Sequence, residues 1–196
     1  MRIAIITTSE SKYIEVLAEA VKNKYLDVEI PLVITNKPNS RAIGVSRMYN
    51  IHCEVIDNRF FNDREEHDKE IMKKLDRENI DLVILTGYKR LIKNKEFLEK
   101  YSKGMINVYN STLPGYPGMT PHITAFKEGA GRGGYTIHFI SEFVDKEKII
   151  HQEEVDIRDC KSAEQIYTKL VRAGCRGLLK VVNDFSIRAL LMRARE

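Results

Sequence analysis

Two stretches of the 196-residue chain concentrate polar side chains where chemistry can be done: MINVYNSTLPGYPG, Met105 to Gly118, and HFISEFVDKEKII, His138 to Ile150. In the first, an apolar run of strand type ends in Asn107, Tyr109 and Asn110. Alternation along a strand sends Asn107 and Tyr109 to one face and Ile106 and Val108 to the other. An amide and a phenol then project together from the strand's carboxyl end, and both carry donors that can hold and orient a ligand. The loop behind them has two prolines, which restrict φ, and two glycines, which let backbone approach closely, so a single loop conformation is expected. By themselves these residues serve equally well to end a strand and begin a turn.

Elsewhere the residue types suggest less. Cys53, Cys160 and Cys175 are odd in number and widely separated, which suits a reducing cytoplasm and gives no metal-ligand spacing. Cys53 and Cys175 read as packing residues. His52, His67 and His151 are expected at the surface or at strand edges, with no spacing that suggests a metal. His138 shares a strand face with Thr136 and Ile140, and a structural and a pocket role both remain open for it. GAGRGG, Gly129 to Gly134, precedes a strand and does not open a helix, so it reads as a turn.

The elements that must position Asn107 and Tyr109 follow from periodicity. RIAIITT is a strand, and SESKYIEVLAEAVKNK changes to helical spacing at Ile14, Leu17, Ala18 and Val21. VEIPLVITN, Val28 to Asn36, is a second strand, RAIGVSRMYN a short helix, and HCEVID a third strand. Asp63 or Asn62 caps a helix whose Ile71, Met72 and Leu75 share a face. IDLVILTG, Ile80 to Gly87, is apolar throughout, as in a strand covered on both faces. Alternating strands and helices imply a parallel sheet, whose ligands bind at the carboxyl ends of the strands. After Asn107, Gly133 to Ile140 and Lys148 to Ile157 read as an antiparallel hairpin, and Ser162 opens a helix through about Phe185. The fold class is therefore α/β: a Rossmann-like parallel half, a hairpin and a closing C-terminal helix, with residues 1–196 forming one domain.

Composition bounds the rest. Apolar residues make up 43% of the chain and charged residues 31%, and no run nears the roughly 18 apolar residues of a membrane helix. MRIAIITT is too short for a signal peptide, so a soluble, cytoplasmic protein is expected. The net charge of +4 comes from 32 basic against 28 acidic residues spread along the chain, so neither nucleic acid nor a membrane is an expected partner. IRALLMRARE, the one basic cluster, reads as the end of an amphipathic helix.

INVYNSTLPGYPG followed by FISEFVDKEKIIHQEEVDI resembles the signature of the folate-dependent formyltransferases, above all the branch that acts on glycinamide ribonucleotide. That pattern runs Asn-x-His-x-Ser-Leu-Leu-Pro, a Pro-Gly turn, a downstream His, and an Asp usually followed by Gly-Gly. VITNKPNSRAIGVSRMYNI, DREEHDKEI and DLVILTGYKRLI extend the resemblance in register from about Arg2 to Phe185. It implies a three-layer formyltransferase fold and 10-formyltetrahydrofolate as formyl donor, with no metal. Small-molecule substrates are implied, the default acceptor being glycinamide ribonucleotide in purine biosynthesis; the state of the chain as monomer or homodimer stays open. Asn107 matches the catalytic asparagine and Asp145 the catalytic aspartate, while Tyr109 stands where the family has its catalytic histidine. Arg64, Tyr88, Arg90, Leu91, Ile92 and Ile140 fall where the family holds the folate. Ser9, Glu10, Ser11, Lys12, Pro114, Gly118, His122 and His138 fall on the acceptor side.

The departures from that pattern carry chemistry of their own. An amine attacking a formyl carbon creates an oxyanion and a proton to remove, so donors must face the oxygen and a base must face the nitrogen. A phenol with a reference pKa of about 10 donates only a neutral hydrogen bond where an imidazolium would bring charge. Weakening an oxyanion donor costs about 10²–10³ in rate. Asp145 is followed by Lys146 and Glu147 instead of Gly-Gly, and Lys146 can pair with it. The loop after the first strand, TSESKY, lacks glycines that would hold a phosphate; Ser9, Ser11 and Lys12 can still hold an anion, but Glu10 repels it unless it points away. Gly174 falls near an acidic position of the family. Three readings follow: a transformylase with tyrosine in place of histidine, a formyltransferase for another amine, or a formyltransferase-fold protein without transfer activity that binds a folate or small anion.

Overall fold

The computed structural model describes residues 1–115, 118, 120–140 and 148–193. Seven strands form one sheet in the order β3-β2-β1-β4-β5-β6-β7. These are β1 (Arg2–Thr7), β2 (Glu29–Thr35), β3 (His52–Val55), β4 (Leu82–Thr86), β5 (Met105–Tyr109), β6 (Arg132–Phe139) and β7 (Ile149–Asp156). The first five pair in parallel, whereas β5–β6 and β6–β7 are antiparallel. The parallel half, the hairpin and the strand sequence expected from periodicity are all present.

The helices are α1 (Lys12–Lys22), α2 (Arg41–Met48), α3 (Arg64–Arg77), α4 (Lys95–Lys100), α5 (Pro121–Lys127) and α6 (Ala163–Arg193). Asp63 caps α3, its carboxylate accepting from the Glu66 backbone N–H at 2.9 Å, and Asn94 caps α4 in the same way through Phe97. Helix α6 runs to Arg193, past the end expected near Phe185, because nothing in SIRALLMR breaks a helix. The short helices α4 and α5, absent from the periodicity reading, connect β4 to β5 and β5 to β6.

Each face of the sheet carries its own core. On one, Ile3, Ile5, Val33 and Ile84 meet Ile14 and Leu17 of α1 and Leu178 and Val182 of α6. On the other, Ala4, Ile6, Leu32 and Val83 meet Ile71 and Leu75 of α3 and Phe97 of α4. Helices cover both faces, which explains why β4 is buried at every position. The expectation for His67 is corrected: it is fully buried, its Nε2 lies 2.9 Å from the Ile56 carbonyl and its ring meets Phe61 edge-on. Cys175 is buried, as its reading as a packing residue requires. Among the described residues no helix is long and apolar enough to cross a membrane, and no cluster of three or more His, Cys, Asp or Glu is placed to hold a metal.

Strand order reverses between β1 and β4. The chain leaves β1 toward one side of the sheet and leaves β4 toward the other, so the loops after these strands diverge and open a crevice. Strand β5 lies beside β4, and its end borders the same crevice.

Candidate active site

A cavity of about 530 Å³ occupies this crevice. Ser9 and Glu10 line it from the loop after β1, Gly87 to Leu91 from the loop after β4, and Asn107 to Asn110 from the end of β5. Gly118, Thr120, Pro121 and His122 close one side, and Tyr167 reaches in from α6.

Asn107 sits across from Leu85 of β4 and His138 of β6. Its Nδ2 lies 3.1 Å from His138 Nε2, and His138 Nδ1 lies 3.0 Å from the Phe139 carbonyl. These contacts are consistent with one proton arrangement: Nδ1–H donates to the carbonyl and Nε2 accepts from the Asn107 amide. That bond fixes the amide plane, and one Nδ2 hydrogen is left for whatever enters the cavity. His138 is buried and stands behind Asn107, outside the cavity lining, so it acts on a ligand only through Asn107.

Tyr109 follows Asn107 on the same face, and its hydroxyl donates to the Gly118 carbonyl at 2.9 Å. Burial raises its pKa above that of an ordinary phenol, so the hydroxyl keeps its proton at neutral pH. Gly118 has φ +112, a conformation that favours glycine, and the phenol ties this turn to β5. Asn110, the next residue, accepts from the Tyr13 hydroxyl at 2.7 Å. A Cβ at Gly174 would stand 2.5 Å from that hydroxyl, so the glycine of α6 makes room for Tyr13.

His122 lies in the first turn of α5, its ring centroid 5.0 Å from that of Tyr167. Burial lowers its pKa, with the Lys89 charge acting in the same direction, which keeps the imidazole neutral at pH 7 and able to accept a proton.

The wall after β4 is held by its backbone. Asp68, buried on α3, accepts from the Lys93 N–H at 2.6 Å and the Asn94 N–H at 3.2 Å, and Lys89 N–H donates to Thr8 Oγ1 at 3.0 Å. Tyr88, Arg90 and Leu91 line the cavity. Burial raises the Tyr88 pKa well above that of a free phenol. Ile92 and Ile140 instead pack against the core on the α3 side, and Arg64 starts α3 as an exposed residue outside the lining.

On the opposite wall the side chain of Glu10 crosses the mouth of α1. Its Oε1 accepts from the Lys12 N–H at 2.7 Å, and its Oε2 accepts from the Tyr167 hydroxyl through a short hydrogen bond. Ser11 and Lys12 lie behind it, outside the cavity lining, and the Lys12 ammonium pairs with Glu15 at 2.9 Å. Pro114 also lies outside the lining, following a cis Leu113–Pro114 bond. Asp145 falls outside the described residues.

The site thus gathers ten of the residues singled out from sequence: Asn107, Tyr109, Tyr88, Arg90, Leu91, Ser9, Glu10, Gly118, His122 and, one layer back, His138. Sequence reasoning did not find Tyr167, Lys89 or Thr120. A tyrosine on the buried stripe of an amphipathic helix carries no signal of its own, and its partner is 157 residues away.

The formyl transferase family model matches residues 1–182 of the chain. The chain belongs to the formyl transferase family. Among the relatives of this chain, the human trifunctional purine biosynthetic protein adenosine-3 is 29% identical over 157 residues, which cover 80% of this chain and 15% of that protein. A formyltetrahydrofolate deformylase of Haemophilus influenzae is 35% identical over 175 residues, covering 88% of this chain and 59% of the relative. The solved phosphoribosylglycinamide formyltransferase of Bacillus Halodurans superposes with a TM-score of 0.87 at 27% identity, over 94% of this chain and 95% of the other.

Proposed function

We propose that this chain, as one formyltransferase-like domain over residues 1–196, transfers a formyl group from 10-formyltetrahydrofolate to a primary amine. Glycinamide ribonucleotide is the reference acceptor, and the cytoplasm is where purine synthesis would require the enzyme. The observation that carries this reading is the placement of Asn107, its amide plane fixed by His138, at the mouth of a cavity that also holds a neutral histidine.

In the reaction the amine nitrogen attacks the formyl carbon and the carbonyl electrons move to oxygen. Collapse of that adduct breaks the bond from the formyl carbon to N10 of the folate. The amine loses one proton and N10 gains one, leaving a formamide and tetrahydrofolate. Asn107 donates to the oxyanion, a role worth about 10²–10³ in rate for a fixed donor. The neutral imidazole of His122 is a base for the amine proton, and Asp145 is the base that the family resemblance supplies. Tyr109 already donates to Gly118, so its part is to hold the loop. Tyr88 and Leu91 suit a flat heteroaromatic ring, and Lys89 and Arg90 suit the acidic tail of a folate.

The test is tetrahydrofolate release from a 10-formyl folate with and without amine, in wild type and Asn107→Ala. Amine-dependent release that falls at least about a hundredfold in the variant is the expected result. Release of formate without amine would favour water as acceptor, the activity named for the Haemophilus influenzae relative. No release under either condition, with folate still bound, would favour a binding protein.

A further inference from the structure

The start of α1 is a place where an anion would ordinarily be held. A helix of 11 residues presents unpaired N–H groups and the positive end of its dipole there, and the strand-order reversal aims that end at the cavity. In this chain a side chain already takes that position. Glu10 precedes the helix, and its carboxylate receives the Lys12 N–H, the first of the helix. The N-cap residue Ser11 makes no side-chain bond to the helix, so Glu10 is the side chain that serves this end.

Three contacts fix Glu10 as part of the cavity wall and not as a loose surface group. Its second oxygen receives the Tyr167 hydroxyl from α6. Its backbone N–H and carbonyl both bond Thr7 Oγ1, at 3.0 and 3.1 Å. Its Cβ sits where a Cβ at position 87 would come within 2.9 Å, and Gly87, with φ +57, leaves that space open. Among the described residues no Lys or Arg forms an ion pair with Glu10, and the nearest lysine in sequence is engaged by Glu15. The carboxylate therefore lines the cavity with its two oxygens held by an amide and a phenol, while the basic residues Lys89 and Arg90 stand on the wall after β4.

We infer that Glu10 is a specificity residue that closes this end of the cavity to phosphate and selects an amine acceptor presenting a hydrogen-bond donor there, a hydroxyl or a second ammonium. The inference rests on the amine-acceptor reading above and turns it away from the phosphate-bearing reference acceptor, glycinamide ribonucleotide. A phosphate ester would have to displace Glu10 from Lys12 and Tyr167 or sit against a like charge, whereas a hydroxyl or ammonium finds an acceptor already oriented.

The test has a binding arm that does not depend on catalysis. Ribose 5-phosphate and ribose are titrated into the full chain, wild type and Glu10→Gln, by calorimetry. Glutamine keeps the shape and can still accept from Lys12 N–H, and Tyr167→Phe serves as a second variant that releases the carboxylate without removing it. The expected result is that Glu10→Gln holds ribose 5-phosphate on the order of tenfold more tightly than wild type, and ribose no more tightly. Wild type that binds ribose 5-phosphate as tightly as Glu10→Gln would overturn the inference. In a second arm, kcat/KM is compared for glycinamide ribonucleotide and its phosphate-free riboside. Preference of wild type for the riboside agrees with the inference, and preference for the ribonucleotide contradicts it. Failure of the transfer reading itself would appear separately, as no turnover with any amine beside a phosphate titration that still reports on Glu10.

Discussion

The two long walls of the cavity are built by opposite means. After β4, a buried carboxylate on α3 collects the backbone N–H groups of Lys93 and Asn94, so the loop's course is set while its side chains remain replaceable. After β1, the chemistry lies in one side chain, Glu10, which is itself held by a phenol from another part of the chain. A wall shaped by backbone tolerates exchange of its lining residues. A wall whose character is one carboxylate changes ligand preference with a single substitution, and that difference locates specificity on the β1 side.

The largest way to break the comparison is Asp68→Ala. Two part-buried backbone donors lose a buried acceptor, which costs up to about 3 kcal/mol, or roughly 6–12 °C in Tm for a chain of this size. Thermal unfolding should show that loss together with a raised KM for the formyl folate. Tyr167→Phe is expected to be milder, about 1 kcal/mol, because the bond is only partly buried and water can replace it. A drop as large as that of Asp68→Ala would mean that the β1 wall is also a structural element. The smallest effect is on pH. His122 has a folded-state pKa below its unfolded value, so its neutral state is favoured by folding above the unfolded pKa. That contribution is lost as pH falls through the folded value. Stability of wild type should therefore decline more steeply on acidification below about pH 6.5 than that of His122→Asn, measured by denaturant titration at several pH values.

What could be read from sequence divides along the same line. The strands were legible because β1, β2 and β4 are continuous apolar runs, and the end of β5 was legible because Asn107 and Tyr109 interrupt one. Helix α3 announced itself through Asp63 and the spacing of Ile71, Met72 and Leu75. Helices α4 and α5, of 6 and 7 residues, are too short to show a period, although Asn94 and Pro121 mark their starts. The end of α6 was misplaced because Arg188 to Met192 are good helix formers with no glycine or proline to stop them. Glu10 was visible as a charge that an anion would meet. Its attachment to Tyr167 was not, since that bond depends on how α6 crosses α1. His67 was misjudged for a related reason: a histidine inside a charged helix gives no hint that a backbone carbonyl awaits it in the core.

The bond between Glu10 and Tyr167 also has a place in time. The two residues are 157 positions apart, an interval that synthesis at 5–20 residues per second covers in about 8–30 s. In the last part of that interval, once Tyr109 has been made, the nascent chain carries β1, β4 and β5 but not the phenol that steadies Glu10. The emerging polypeptide therefore presents a half-built crevice, and its preference among ligands is settled only when the last helix docks.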